Sequence, residues 1–97
     1  MEIEILQSAS YGKWFESLRD PQARARINIR LRRLSLGNPG DVRPVGSGVS
    51  ELRIDFGPGY RIYLVSRGQG RVILLWGGEK STQHDDIAHA IEMAKHL

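Results

Sequence analysis

Arg53, Arg61 and Tyr63 are the residues whose types and spacing suit chemistry on an anion. They lie in residues 49–67, which read Val-Ser-Glu-Leu-Arg-Ile-Asp-Phe, then Gly-Pro-Gly, then Tyr-Arg-Ile-Tyr-Leu-Val-Ser-Arg. Two runs that alternate in polarity flank a short glycine-rich turn, the pattern of a β-hairpin. Side chains switch faces at every residue of a strand. Leu52, Ile54, Phe56, Tyr60, Ile62 and Leu64 therefore make one apolar face. Glu51, Arg53, Asp55, Arg61 and Tyr63 fall on the opposite one. Two guanidinium groups and a phenol on a rigid sheet would make a platform for a phosphate and a base, with the arginines stabilising charge that develops there. The same arginines could equally pair with Glu51 and Asp55 across the hairpin.

Lys80 follows the last strand and could approach this platform from the side. His84 comes shortly after it, at the start of the last helix, and could serve as a general base. Glu51 and Asp55 are alternative bases. His89 and His96 are expected to face solvent.

The elements that must position these groups can be read in order. Residues 1–6 alternate Ile3 and Ile5 with Glu2 and Glu4, a short strand that needs a partner in the later sheet. Ser8 or Ser10 can cap a first helix, in which Tyr11, Trp14, Phe15 and Leu18 share one face. Asp20-Pro21 ends that pattern and starts a second helix over residues 21–36, whose apolar face is Ala23, Ile27, Leu31 and Leu34. Arg26, Arg30 and Arg33 form a strip beside it. Gly37 and Asn38-Pro39-Gly40 stop the helix. Residues 41–50, with Pro44, Gly46 and Gly48, read as a loop before the hairpin. The unbroken apolar run 72–76 implies a central strand covered on both faces. Residues 77–81 read as a loop. Thr82 and Asp85 then resemble a capping box for a last helix with Ile87, Ala90, Ile91 and Ala94 on one stripe. The expected order is β-α-α-β-β-β-α: an α+β domain with a mainly antiparallel four-stranded sheet and a helical hairpin packed on it.

Ninety-seven residues, 40% apolar and 26% charged, suit one domain over residues 1–97. The absence of cysteine excludes disulfides and thiolate metal sites. The formal charge is +3, and residues 19–33 hold Arg19, Arg24, Arg26, Arg30, Arg32 and Arg33 against Asp20 alone. Arginine suits phosphate contact and base stacking, so a polyanionic partner is expected. No basic-then-apolar leader and no membrane-length apolar run is present, which points to the cytoplasm.

Three motifs mislead. Gly57-Pro58-Gly59 is followed by a strand, so it is a turn and not a phosphate loop. Gly77-Gly78-Glu79-Lys80-Ser81 resembles a Walker loop but has Glu before its Lys. His84 and His89 are five apart, a poor spacing for one helical face, so no metal and no other cofactor is expected.

Taken together, the phrases Arg33-Leu34-Ser35-Leu36-Gly37-Asn38-Pro39-Gly40-Asp41, Glu51-Leu52-Arg53-Ile54, Gly57-Pro58-Gly59-Tyr60-Arg61-Ile62-Tyr63 and Gly77-Gly78-Glu79-Lys80-Ser81-Thr82-Gln83 are similar in content and order to the RelE/ParE superfamily of bacterial toxins. The chain most resembles the HigB-like branch, the addiction module killer proteins. That resemblance implies a toxin of a type II toxin–antitoxin module. It implies a metal-independent endoribonuclease that cuts mRNA on the ribosome and is held in check by a small helix-turn-helix antitoxin. Operator DNA would be reached only through the antitoxin. The resemblance favours a functional role for Arg53 and Arg61. With Tyr63, Lys80 and His84 added from their places in the chain, His84 not being marked by the likeness, these five are the expected catalytic site. Arg26, Arg30 and Arg33 are expected to contact RNA or the ribosome. The ParE side of the superfamily implies inhibition of DNA gyrase instead, and a nucleic-acid-binding module without catalysis is a further alternative.

Overall fold

A computed structural model describes residues 2–97. Its elements are β1 (Glu4–Gln7), α1 (Ala9–Ser17), α2 (Pro21–Ser35), β2 (Val42–Gly46), β3 (Val49–Ile54), β4 (Tyr60–Ser66), β5 (Arg71–Glu79), a 3-10 turn (Lys80–Thr82) and α3 (Gln83–Lys95). The strands form one sheet in the order β1-β5-β4-β3-β2, with β1 parallel to β5 and every other pair antiparallel. This is the expected α+β class with a mainly antiparallel sheet, but with five strands rather than four.

The additional strand is β2, within the stretch read as a loop. Pro44 and Gly46 disguise it. Proline cannot donate to a ladder and so is confined to edges and bulges. β2 is an edge strand paired only with β3, and its register slips between Pro44 and Gly46. The connection to β3 is Ser47-Gly48, both at positive φ (53° and 79°), the geometry of a tight hairpin turn. The second correction is at the other end. β5 does not stop at Trp76 but continues through Gly77 and Gly78 to Glu79.

The first two helices start on side-chain caps. The Ser8 hydroxyl accepts the Tyr11 amide at 3.0 Å, and the Asp20 carboxylate accepts the Gln22 amide at 2.9 Å with Pro21 next in line. After α2, Gly37 (φ 86°) donates to the Leu34 carbonyl and Asn38 to the Arg33 carbonyl, a Schellman ending. Thr82 does not cap α3 through its side chain. Its hydroxyl donates to Asp86 Oδ2 at 2.5 Å instead.

The sheet is covered on both faces. Tyr11, Ala23, Ile27 and Leu34 of α1 and α2 pack on Leu52, Ile54, Tyr60, Ile62, Leu64, Val72 and Leu74. On the other face α3 lays Ile87, Ala90, Ile91 and Ala94 over Val49, Tyr63, Leu75 and Trp76. A bulge at Leu75 helps β5 serve both cores: Tyr63 pairs with Trp76, but Leu64 pairs with Leu74. Placing α3 here decides the character of the site, because it covers part of the face that alternation alone leaves to solvent.

Candidate functional site

Strands β3 and β4 bring Arg53 and Arg61 directly opposite one another, and place Glu51 opposite Tyr63. The chain after Ile54 turns through Gly57-Pro58-Gly59, where Gly57 and Gly59 take φ of 56° and 81°. The Gly59 carbonyl then accepts the Lys80 amide at 2.8 Å. A Cβ on Gly59 would stand 3.3 Å from the Lys80 Cβ and 3.4 Å from Arg61 Nη1. The bare turn thus lets Lys80 come up beside Arg61. Arg53, Arg61 and Lys80 line one cavity of about 300 Å³ with Asp41, Asp55 and Gly59. The expected gathering of these three cations is what the fold produces.

The polar face is less open than the hairpin pattern predicts. Arg61 is 6% exposed, Glu51 1% and Tyr63 0%. Tyr63 lies beneath α3, so it cannot stack a base or reach a phosphate. Its hydroxyl donates to Glu51 Oε2 at 3.1 Å. Burial first, then the neighbouring Glu51 charge and this hydrogen bond, push the phenol well above its ordinary value, so it remains a proton donor to Glu51. The Gln83 amide donates to both Glu51 oxygens, at 2.9 and 3.2 Å. Glu51 Oε1 stands 3.9 Å from Nε of both Arg53 and Arg61. Unit charges about 4 Å apart attract by about 4 kcal/mol at an effective dielectric near 20. Arg61 Nη1 donates to the Gly59 carbonyl at 3.3 Å, while its Nε is buried with no hydrogen-bond partner among the described residues.

His84 is exposed on the first turn of α3 and is not among the residues lining the cavity. His89 is exposed too, but its ring centroid lies 4.4 Å from that of Trp76. His96 bonds Glu92 at 3.2 Å.

Arg26, Arg30 and Arg33 of α2 separate into different roles. With Ile29, Ile54 and Asp55, they line a second cavity of about 260 Å³, which meets the first at Asp55. Arg26 lies over the Phe56 ring, 4.3 Å from its centroid. Arg33 is exposed. Arg30 is half-buried and spends its guanidinium on carbonyls: Nη1 on Arg53, and Nη2 on Pro39 at 3.1 Å and Asp41 at 3.4 Å. It ties α2 to the backbone that carries Arg53, and partial burial holds its pKa below the usual arginine value. With Nη1 and Nη2 engaged on these carbonyls, Arg30 acts as a strut between α2 and β3, while still lining the second cavity beside Arg26 and Arg33.

Sequence reasoning missed Gln83 as a partner of Glu51, and no local signal marks it. It also missed Asp41, whose Oδ2 is 4.0 Å from Arg53 Nε. Both contacts depend on tertiary folding. No group of three or more His, Cys, Asp or Glu side chains able to hold a metal occurs among the described residues, and none of their helices is long and apolar enough to cross a membrane. Chemically, the first cavity sets three cations against Asp41 and Asp55 and suits an oxyanion, with the two arginines held by the sheet and Lys80 by the 3-10 turn that follows it.

Residues 13–97 match the family model described as Phage derived protein Gp49-like. A protein of Haemophilus influenzae, which bears the name Uncharacterized protein, is 45% identical over 97 residues, covering 100% of this chain and 98% of its own. With most of its length matched, the chain belongs to the Gp49-like phage-derived family, a family of toxin–antitoxin toxins in the RelE/ParE-like fold group.

Proposed function

We propose that this chain is the toxin of a type II toxin–antitoxin module and acts as a metal-independent, ribosome-dependent mRNA endonuclease of the HigB-like kind. The observation that carries the reading is the convergence of Arg53, Arg61 and Lys80 on one cavity. Cleavage without a metal requires loss of the 2′-OH proton, stabilisation of charge on the phosphorane, and a protonated 5′-leaving oxygen. The cations supply the second requirement, often the largest contribution to rate. Holding the mRNA in line within the ribosome supplies much of the rest. Arg26 and Arg33, exposed beside the second cavity, would contact ribosomal RNA or the flanking mRNA phosphates. The site of action is then the cytoplasm, and the regulator is a small helix-turn-helix antitoxin that forms a stable complex unable to cut mRNA and alone carries the pair to operator DNA.

The test is induction of the chain in cells, with mRNA ends mapped and DNA damage scored in parallel. New mRNA ends within translated frames, abolished by Arg53→Ala at equal expression, support the reading. DNA damage with intact mRNA supports a gyrase inhibitor. Growth arrest with neither, or no arrest and no complex with the product of the adjacent small reading frame, leaves a non-catalytic binding module.

A further inference from the structure

Glu51 is the part of the site that cannot meet a ligand. Its carboxylate is buried and does not line the cavity. It nevertheless faces both guanidiniums that do, with one oxygen 3.9 Å from each Nε. Those separations are too long for hydrogen bonds, so the carboxylate attracts the guanidiniums without occupying those N–H groups. Its other contacts hold it in place. Tyr63 on β4 fixes Oε2, and Gln83 at the start of α3 spans both oxygens. Arg53 and Arg61 stand directly opposite across the β3–β4 ladder, where like charges repel. A fixed anion close to both relieves that repulsion.

We propose that Glu51 is a positioning residue: a pinned, buried carboxylate that aims Arg53 and Arg61 into the cavity, where both receive the oxygens of a phosphodiester. The proposal rests on the reading of the cavity as an RNA phosphate site. Were Glu51 free to close on Arg61, a direct charge-assisted pair would consume the donors that the substrate needs. Tyr63 and Gln83 prevent this. They also keep the carboxylate away from the reacting 2′-OH, so Glu51 is not the general base. The arrangement predicts a split between binding and turnover. Neutralising Glu51 removes a negative charge close to the cavity, so a phosphate binds as well as before or better. The guanidiniums, however, lose their aim, and small displacements of positioning groups are costly to rate.

The experiment compares the parent protein with Glu51→Gln and Glu51→Asp. The amide variant keeps the volume of Glu51 and an oxygen that can accept from Tyr63 or Gln83, and thermal unfolding establishes that it is folded. On ribosome-bound mRNA, kcat is expected to fall at least about tenfold with KM unchanged or lower. Glu51→Asp, which keeps the charge, recovers part of the loss, and the acidic limb of the pH–rate profile stays in place. Titration of the ribosome-free protein with inorganic phosphate, followed by NMR, gives equal or tighter binding in Glu51→Gln. There the Arg61 Nε–H signal is expected to exchange with water faster than in the parent, where the group is buried. A folded Glu51→Gln protein with parental kcat and an unchanged Arg61 signal overturns the proposal. So does loss of the acidic limb, which would make Glu51 the base. If the parent cuts no mRNA, the nuclease reading fails, while the phosphate titration and the Arg61 signal still decide the positioning role. If Glu51→Gln does not fold, Gln83→Leu, which unpins the carboxylate and leaves its charge, takes its place: a lower kcat with a changed Arg61 signal supports the proposal, and parental kcat with an unchanged signal overturns it.

Discussion

Trp14 on α1 packs so closely against Gly77 on β5 that a Cβ there would fall 2.1 Å from Cε3 of the indole. One residue on, a Cβ on Gly78 would fall 1.9 Å from Asp86 Oδ2 of α3. Two helices press on the same strand from opposite sides, and consecutive glycines make room for both. Asp86 in turn accepts from Trp76 Nε1 at 2.9 Å and from Thr82. These contacts fix the first turn of α3, and with it Gln83 and the 3-10 turn that carries Lys80.

Gly77→Ala and Gly78→Ala are therefore expected to destabilise the fold by about 1–3 kcal/mol or more, the cost of overpacking where neighbours cannot retreat. Denaturant unfolding measures this. Gly78→Ala should also impair toxicity at temperatures where it remains folded, because displaced Asp86 loosens the turn holding Lys80.

Arg61→Ala should abolish toxicity and also cost stability, by roughly 2–3 kcal/mol. Removing one partner of a buried pair costs about 3–5 kcal/mol when the other charge is left alone, but Arg53 still faces Glu51 here. Arg53→Ala, at a more exposed side chain, should lose toxicity with less than about 1 kcal/mol of stability. Unfolding curves for the two variants distinguish the buried arginine from the half-buried one.

Within α2, Arg30→Ala should lower stability by about 1–3 kcal/mol, since carbonyls of residues 39, 41 and 53 lose a charged donor. Replacing Arg26 and Arg33 together should leave stability within about 1 kcal/mol, because both side chains are exposed. It should weaken ribosome co-sedimentation and reduce its salt slope by about 2 if each arginine neutralises one phosphate. An unchanged slope would return these two residues to a solvated helix face.

Tyr63 predicts an alkaline limit to stability. Its folded pKa is raised by burial and by Glu51, so the folded state holds this proton more tightly than the unfolded chain does. That contribution is complete below the unfolded value near pH 10 and is lost as pH rises beyond it. Tyr11, raised by burial alone, acts in the same direction. Tyr63→Phe should be less stable than the parent at pH 7, where Glu51 loses a donor, yet show a shallower decline between about pH 10 and 12. Denaturant midpoints across that range provide the measurement.

Local chemistry was enough to place the starts of α1 and α2, the Schellman stop at Gly37, the 57–59 turn and the central strand 72–76, because each depends on neighbours within a few residues. Alternation likewise assigned Arg53, Arg61 and Glu51 to one face of the hairpin. Strand β2 was hidden because Pro44 and the glycines carry the same composition in an edge strand as in a loop, and only pairing with β3 separates the two. Gly77 and Gly78 looked like a loop for a similar reason: a glycine in a strand records the close approach of something distant, here Trp14 and Asp86. The largest difference concerned exposure. Period-2 alternation sorts side chains into two faces but does not say which is covered. The position of α3, thirty-two residues from Glu51 at Gln83, turned a platform expected to be open into a half-closed site. Tyr63 thereby became a buried donor and Arg61 a nearly buried cation. Which residues share a face is a property of backbone geometry and is written in the order of residues. How much water each one meets is decided by the packing of elements far apart in the chain.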